Sequence, residues 1–125
     1  MMSSNILIAG DRMTGEFCTG DTFQPRCGGG RHDVIVILSA RYGRMNFGRC
    51  IEQDPELASM VNNPRFIGCS ADVKHIIDQQ CSGLSECDVR INSHNFDGIR
   101  PCIVGLQTYL EVSYTCIKGR LHSGV

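Results

Sequence analysis

The longest apolar run in the chain is the stretch Val-Ile-Val-Ile-Leu at residues 34–38, which continues through Ser39 and Ala40. A run of this length that is rich in β-branched side chains is typical of a buried strand. Shortly after it comes the tripeptide Tyr-Gly-Arg at residues 42–44. Because glycine turns without a Cβ clash, we expect the ring and the guanidinium group to point toward one ligand at the strand end. An ordinary strand-end turn is the alternative interpretation.

Several other segments carry strand patterns, in which apolar and β-branched residues are bounded by turn residues. They lie at residues 5–9, within Glu16 to Cys27 as one or two strands, at 88–92, and at 108–116 as the closing strand.

Two segments carry helix signals. The first, residues 54–60, begins Asp-Pro-Glu, which supplies an N-cap, a proline at the first helical position and an early acid, and Asn-Asn-Pro at 62–64 ends it. The second is expected to run from Ala71 to about Gln80 with Ser70 as its N-cap. Its apolar face comprises Val73, Ile76 and Ile77.

A chain of 125 residues is large enough for one domain with one modest core. The formal net charge of -1 argues against a general nucleic-acid-binding protein, because displacing counterions from phosphates needs a clear basic excess. Of the twelve cationic residues only Lys74 and Lys118 are lysine, and several arginines fall within residues 26–49. Arginine suits bidentate recognition of carboxylate, sulfate or hydroxyl-rich ligands, and a solvated sheet face is the alternative interpretation.

The eight cysteines, an even number in a small chain, favour a disulfide framework and hence an oxidising compartment. Eight cysteines allow 105 complete sets of pairings, and Cys81 and Cys87 are near enough in sequence to be bonded to each other. Zinc is disfavoured because no Cys-x-x-Cys pair occurs and the four histidines lack a His-x3–5-His spacing.

The N-terminus lacks the basic and long apolar regions of a signal peptide. We therefore expect a secreted or extracellular form of this chain to be a mature or excised piece. No apolar run reaches transmembrane length, so no membrane insertion is predicted. Residues 118–125 are expected to form a flexible tail.

Four motifs occur in the order found in one known family. They are Ala-Arg-Tyr-Gly-Arg at 40–44, Cys-x-Gly-x-x-x-Cys at 81–87, Pro-Cys at 101–102 and Tyr-Leu-Glu-Val-Ser-Tyr-Thr-Cys at 109–116. With the cysteine spacing, they resemble the rhamnose/galactose-binding lectin domain of the sea urchin egg lectin type over about residues 16–117. Residues 1–15 are then an N-terminal extension that is available for an extra strand.

The resemblance implies a compact, disulfide-bonded α+β domain of antiparallel β-strands in a two-sheet sandwich with one or two α-helices. It also implies no metal, no cofactor and no enzymatic activity. The disulfide pairing that it implies is Cys18–Cys50, Cys27–Cys116, Cys69–Cys102 and Cys81–Cys87.

Sugar recognition in that family is centred on an acid after the first cysteine, on the Tyr-Gly-Arg turn, and on an Asp-Pro-Cys loop followed by Lys-Tyr-Leu. Here Thr19 follows the first cysteine, Arg100 replaces the aspartate and Thr108 replaces the lysine. Losing two carboxylates removes the strongest acceptors for sugar hydroxyls, and Asp97 is a substitute acceptor if the loop is remodelled. The candidate sugar-binding residues are Thr19, Tyr42, Gly43, Arg44, Asp97, Arg100 and Thr108.

The first functional hypothesis is a non-enzymatic carbohydrate-binding module with an atypical pocket. Its ligand would be a galactoside, a rhamnoside or an anionic glycan, alone or on a cell-surface glycoprotein, with Arg100 tilting the preference toward negative charge. Since single-site lectin binding is weak, useful adhesion would require several copies or a homo-oligomer.

The second hypothesis keeps the fold without the sugar, as a protein-interaction module for adhesion whose candidate surface is the connection from Cys50 to Cys69. A small hydrolase or nuclease built on His94 and Asp97 is disfavoured, because no nucleophile motif accompanies them. A calcium-dependent lectin is disfavoured because no Asp-x-Asp-x-Asp-Gly loop occurs.

Overall fold

A computed structural model describes residues 11–28, 32–46, 48–51, 67–92, 95–96, 98–102 and 107–118. These ranges form two antiparallel sheets and one α-helix, so the α+β fold class is confirmed. The elements in chain order are β1 (Met13–Cys18), β2 (Thr22–Phe23), β3 (Asp33–Gly43), β4 (Ser70–Asp72), α1 (Lys74–Cys81), β5 (Val89–Arg90) and β6 (Tyr109–Lys118).

The larger sheet has the strand order β1-β6-β3-β4, and β2 pairs with β5 in the smaller one. The two longest strands, β3 and β6, lie side by side at the centre of the larger sheet, with Tyr42 opposite Leu110. A register shift between Ile37 and Ser39 bulges β3, and Leu38 within the bulge is exposed. The apolar run at 34–38 is therefore a strand, as predicted, but its single leucine faces solvent.

The main core lies between the inner face of the larger sheet, helix α1 and the smaller sheet. The contribution of β6 to this core follows from the alternation of its side chains. Leu110 and Val112 point inward, while Glu111 between them does not. The buried members of the main core are Phe23, Ile35, Ile37, Ala40, Tyr42, Val73, Ile77, Cys81, Val89, Ile91, Phe96, Leu110 and Val112.

Four disulfides tie the loops to this framework. The bridge that closes the longest segment joins β6 to the loop after β2 across a sequence separation of 89 residues. The pairs are Cys18–Cys50, Cys27–Cys116, Cys69–Cys102 and Cys81–Cys87, the same four that the resemblance implies.

The predicted helix over 71–80 begins later than expected. Ser70–Asp72 pair with Arg41–Gly43 as β4, and this pairing prevents the same residues from starting a helix. Helix α1 consequently begins at Lys74, whose backbone N–H donates to Asp72 Oδ1 at 2.9 Å. Asp72 thus satisfies one of the free amides in the first turn of the helix.

Two other predictions differ in extent. Of the strand expected over 88–92, only Val89–Arg90 pair, as β5. The stretch from Glu16 to Cys27 contains β2 and the end of β1, which begins already at Met13. The strand at 5–9 and the helix at 54–60 lie outside the described residues, as does the tail after Lys118.

Candidate functional site

The glycine of the Tyr-Gly-Arg motif is required by a close contact between strands. Gly43 is the last residue of β3, where it lies opposite Ser70 of β4. A Cβ at this position would lie 2.3 Å from the carbonyl oxygen of Cys69 and 2.7 Å from Cα of Ser70. Its φ of +153° also disfavours other residues. The glycine therefore brings β4 against the strand end that carries the candidate site.

The Arg44 side chain is fully buried, which corrects the expectation that its guanidinium group faces a ligand. Its Nη1 donates to the carbonyl oxygen of Gln107 at 2.6 Å. Its backbone N–H donates to the carbonyl oxygen of Cys69 at 2.8 Å, and its own carbonyl accepts from the N–H of Gly68 at 2.6 Å. Arg44 therefore fixes the backbone at Gln107, just before β6.

Tyr42 is almost completely buried, and it contacts both the loop that carries Phe96 and the segment at Thr108. Its ring stacks on Phe96 with centroids 4.5 Å apart and an interplanar angle of 10°. Its hydroxyl accepts from Thr108 Oγ1 at 2.8 Å, and Thr19 Oγ1 donates to the carbonyl oxygen of Thr108 at 3.2 Å. Three predicted site residues that are distant in sequence thus meet through hydrogen bonds.

A cleft opens where these residues meet. Its cavity volume is about 20 Å³, far less than the roughly 300–1,000 Å³ typical of pockets for drug-sized ligands. The cleft is therefore a shallow surface depression, on which a ligand would rest rather than be enclosed. We call it the Thr19 cleft, and its lining residues are Cys18, Thr19, Cys50, Gln107 and Thr108. None of these described lining residues carries a charge.

Sequence reasoning missed Gln107 and the Cys18–Cys50 bridge as walls of the cleft. Gln107 directly precedes Thr108, so its position could have been inferred from its neighbour. Nothing in the sequence indicated that the bridge would face the cleft, because that depends on how the loop after β3 returns to the end of β1.

The turn that presents Thr19 is held at both ends. The N–H of Asp21 donates to the carbonyl oxygen of Cys18 at 2.9 Å, and the N–H of Cys18 donates to Asp21 Oδ2 at 2.8 Å. Gly20 supplies the φ of +100° that the turn needs. Arg49 Nη2 also donates to Asp21 Oδ2 at 3.2 Å. The carboxylate of Asp21 is therefore committed to the turn.

A small cluster on the outer face of the sheet supports the cleft. Its buried members are Cys18, Cys50, Ile51 and Tyr109. The Tyr109 hydroxyl accepts from the N–H of Asn46 at 2.9 Å and donates to its carbonyl oxygen at 3.2 Å. Burial raises the pKa of Tyr109, so the phenol stays protonated and can make both bonds.

Arg100 lies on an exposed part of the Phe96–Cys102 loop. The loop is anchored by Phe96 on Tyr42, by the N–H of Ile99 donating to the carbonyl oxygen of Phe96 at 2.9 Å, and by the bridge from Cys102 to Cys69. Asp97 and His94 lie outside the described residues.

In the part of the chain that the structure describes, no three His, Cys, Asp or Glu side chains are grouped so that they could hold a metal ion. None of the described helices is both long enough and apolar enough to cross a membrane.

Comparison with known proteins gives a family profile and several relatives. The profile of the D-galactoside/L-rhamnose binding SUEL lectin domain matches residues 25–116. The L-rhamnose-binding lectin CSL1 of Oncorhynchus keta is 33% identical over 103 residues, which are 82% of this chain and 31% of that protein.

Two human relatives are parts of larger proteins. The protein eva-1 homolog C is 32% identical over 91 residues, which are 73% of this chain and 19% of that protein. The adhesion G protein-coupled receptor L1 is 32% identical over 108 residues, which are 86% of this chain and 7% of the receptor. The chain spans less than a third of the length of each of these three relatives.

Proposed function

The chain belongs to the D-galactoside/L-rhamnose binding SUEL lectin domain family, and from this premise we propose that it is a non-enzymatic, metal-independent carbohydrate-binding module. We assign the sugar site to the Thr19 cleft. The observation that carries the proposal is the meeting of Thr19, Tyr42 and Thr108, which occupy three separate motif positions, through hydrogen bonds at one cleft. The four disulfides support an extracellular location, because such bridges persist in oxidising compartments.

The chemistry of the lining suits sugar hydroxyls. Thr19 and Gln107 are exposed at the cleft. The Thr19 hydroxyl donates its proton to Thr108 and is left as an acceptor, while the Gln107 amide can both donate and accept. Neutral hydrogen bonds are weaker than those made by carboxylates. We therefore expect a single cleft to bind a monosaccharide with a Kd of about 1 mM, or about -4 kcal/mol.

Arg100 tilts the preference toward anionic glycans. Its side chain is exposed on the loop that is stacked on Tyr42, and the described cleft lining contributes no carboxylate to repel a sulfate or a uronic acid. An exposed guanidinium group on this loop would bind such a group through two parallel hydrogen bonds.

The test is a glycan array probed with the protein presented multivalently, followed by titration of the strongest ligand. Gln107→Ala should weaken binding at least threefold, because it removes an exposed lining amide while the backbone carbonyl that Arg44 holds remains. Gln24→Ala is the matched control, because Gln24 is also exposed but does not line the cleft, and it should change nothing.

The charge preference has its own control. Arg100→Ala should weaken binding to sulfated or uronic glycans and spare neutral ones, while Arg90→Ala, which removes an exposed arginine from β5, should spare both. Equal losses for neutral and anionic glycans in Arg100→Ala would contradict the anionic preference without contradicting the sugar site.

A protein-interaction module is the second candidate, and the similarity to the adhesion G protein-coupled receptor L1 favours it. The surface expected for it, the connection from Cys50 to Cys69, lies mostly outside the described residues. A blank array from folded, fully oxidised protein would overturn the carbohydrate proposal. Binding to a purified receptor ectodomain, unaffected by Gln107→Ala, would then support the second candidate.

A further inference from the structure

Two contacts tie the turn that presents Thr19 to one neighbouring segment. The first is covalent, because Cys18 at the start of the turn is bridged to Cys50. The second is polar and comes from Arg49, the residue directly before Cys50. Arg49 Nη2 donates to Asp21 Oδ2 at 3.2 Å, and the two side chains form an ion pair. We call this ion pair the turn clamp.

Asp21 is the residue that closes the turn. Its carboxylate accepts from the N–H of Cys18 at 2.8 Å, and its own N–H donates to the carbonyl oxygen of Cys18 at 2.9 Å. Two backbone hydrogen bonds of 2.9 Å also join Gly20 and Asp21 to Ile91. These backbone bonds anchor the main chain of the turn, but they do not hold the carboxylate. The carboxylate is held by Arg49.

Arg49 is itself fixed from two sides. Its Nη2 also donates to the carbonyl oxygen of Glu16 in β1 at 2.7 Å. Its backbone is tethered through the disulfide of the next residue, Cys50. Arg49 therefore connects the carboxylate of Asp21 to a strand that the larger sheet holds in place.

The turn clamp lies beside the Thr19 cleft and not in it. Neither Arg49 nor Asp21 is among the residues that line the cleft, so a sugar that rests there touches neither side chain. The side chains of Arg49 and Asp21 are 55% and 39% exposed. Ion pairs with this exposure are weak, and dissolved salt screens them.

Building on the carbohydrate site assigned above, we propose that Arg49 is a positioning residue for the Thr19 cleft, and that the turn clamp makes the affinity for a neutral sugar depend on ionic strength. The Thr19 hydroxyl donates its proton to the carbonyl oxygen of Thr108 and keeps its lone pairs for a sugar hydroxyl. When the clamp opens, the turn leaves this conformation for part of the time. The apparent Kd then rises in inverse proportion to the fraction of molecules that retain the conformation.

A salt effect on a neutral ligand is the signature of this arrangement. None of the described lining residues carries a charge, and a neutral sugar brings none, so screening cannot act on the direct contacts. It can act on the clamp. Since an exposed ion pair changes an equilibrium by at most about fivefold, we expect opening of the clamp to raise the Kd about two- to threefold.

The first test is titration with two neutral probes, methyl galactoside and methyl rhamnoside, followed by NMR. It is made in about 20 mM and about 1 M NaCl, between which the Debye length falls from about 20 Å to about 3 Å. The Kd of the wild type should rise about two- to threefold with salt. Arg49→Gln should already have the higher Kd at low salt, and its Kd should not change with salt.

Arg26→Gln is the matched control. Arg26 pairs with Glu86 in an ion pair of similar exposure, and neither residue lines the cleft. The substitution removes the same charge, so this variant should keep both the affinity and the salt dependence of the wild type.

The second test is a double-mutant cycle. Asp21→Asn keeps a side-chain oxygen for the N–H of Cys18 but removes the charge that pairs with Arg49. If the two residues act through one contact, Asp21→Asn/Arg49→Gln should bind no more weakly than the weaker single variant, whereas independent effects would multiply. Arg49→Lys keeps the charge and should restore the salt dependence, which the loss of a purely structural side chain would not predict.

A third measurement needs no sugar. The three-bond coupling between Hα and Hβ of Thr19 reports its χ1 rotamer, which the hydrogen bond to Thr108 fixes. The wild type should show the value of a single rotamer at low salt. Arg49→Gln should show an averaged value at any salt concentration, and mass mapping of the four disulfides checks that the variant is folded.

Three results would overturn the proposal while the carbohydrate site stands, because the probes still bind in each. They are a wild-type Kd that does not change with salt, single variants whose effects multiply in the double variant, and an Arg49→Gln protein with unchanged Kd and unchanged Thr19 coupling. A wild type that binds neither these probes nor any glycan of the array would contradict the carbohydrate site itself. In that case an averaged Thr19 coupling in Arg49→Gln would still establish that Arg49 positions the turn.

Discussion

The two faces of the larger sheet differ in what they support: one forms the main core, and the other carries the small cluster under the Thr19 cleft. Adjacent residues of one strand contribute to both faces. Leu110 of β6 points into the main core, and its neighbour Tyr109 points into the small cluster under the Thr19 cleft. The main core is held by close packing of many aliphatic and aromatic side chains. The small cluster has four buried members, and it depends on a disulfide and on two hydrogen bonds between the Tyr109 hydroxyl and the backbone of Asn46. We therefore expect stability and binding to be separable by mutation.

The largest effect is expected in the main core. Ile77 is fully buried on helix α1, and Ile77→Ala should lower the free energy of unfolding by about 2–5 kcal/mol because a cavity replaces the side chain. Glycan affinity of the folded fraction should be unchanged. Ile76→Ala, at a partly buried position beside it, should cost less. Urea denaturation measures both, and equal costs would contradict this account of the packing.

The bridge of the small cluster should couple stability to binding. Cys18→Ala/Cys50→Ala opens a loop of 32 residues, which on the chain-entropy model costs about 4 kcal/mol. It also removes a wall of the cleft, so glycan binding should be lost at temperatures where the variant is folded.

The control removes a bridge on the other face. Cys81→Ala/Cys87→Ala opens a loop of only 6 residues and should cost about 2 kcal/mol. Its glycan binding should survive, because this bridge lies against the main core. Retained binding in the Cys18→Ala/Cys50→Ala variant would show that the bridge is not a wall of the site.

Removing the Tyr109 hydroxyl should have a smaller effect. Tyr109→Phe leaves the backbone N–H and C=O of Asn46 without their partner, at a cost of about 1–2 kcal/mol. Tyr114→Phe is the matched control on the same strand, because no hydrogen bond of its hydroxyl occurs among the described residues. Thermal unfolding of both variants distinguishes the specific bonds from the mere loss of a hydroxyl.

The pH dependence of stability should separate the two faces at the alkaline end. Burial raises the folded-state pKa of Tyr109 above its value of 10.0 in the unfolded chain. Its contribution is therefore fully present below pH 10 and is lost as the pH rises through the folded pKa. Stability of the wild type should fall more steeply above pH 10 than that of Tyr109→Phe. Parallel curves for the two proteins would contradict the assignment.

At the acidic end the sensitive group is on helix α1. Burial alone would raise the pKa of Asp78, but hydrogen bonds from Lys74 and Ser82 outweigh it and lower the pKa below 3.8. Its stabilising effect is therefore present above pH 3.8 and is lost as the pH falls through the folded pKa. Asp78→Asn should flatten the acid limb of the stability curve slightly, since the carboxylate is partly exposed. Asp88→Asn, an exposed control, should not.

Much of the framework was predictable because it follows from local pattern. The apolar run at 34–38 is a strand, and the alternation at 109–116 is the closing strand. The start of helix α1 was not predictable, because Ser70 has the composition of an N-cap and only pairing with Gly43 makes it part of a strand. The candidate site was also predictable only in part. Thr19 and Thr108 were predicted from the sequence and do line the cleft, but Gln107 was overlooked.

The sequence by itself determined that this is a disulfide-bonded α+β domain of a lectin family, because cysteine order, motif order and hydrophobic periodicity are properties of the chain alone. Only the tertiary structure decided what each motif residue does. Arg44 looked like a ligand-binding group, yet it is buried beneath Gln107. Whether a side chain is buried or exposed depends on which strands and loops pack against it, and those segments are far apart in the sequence.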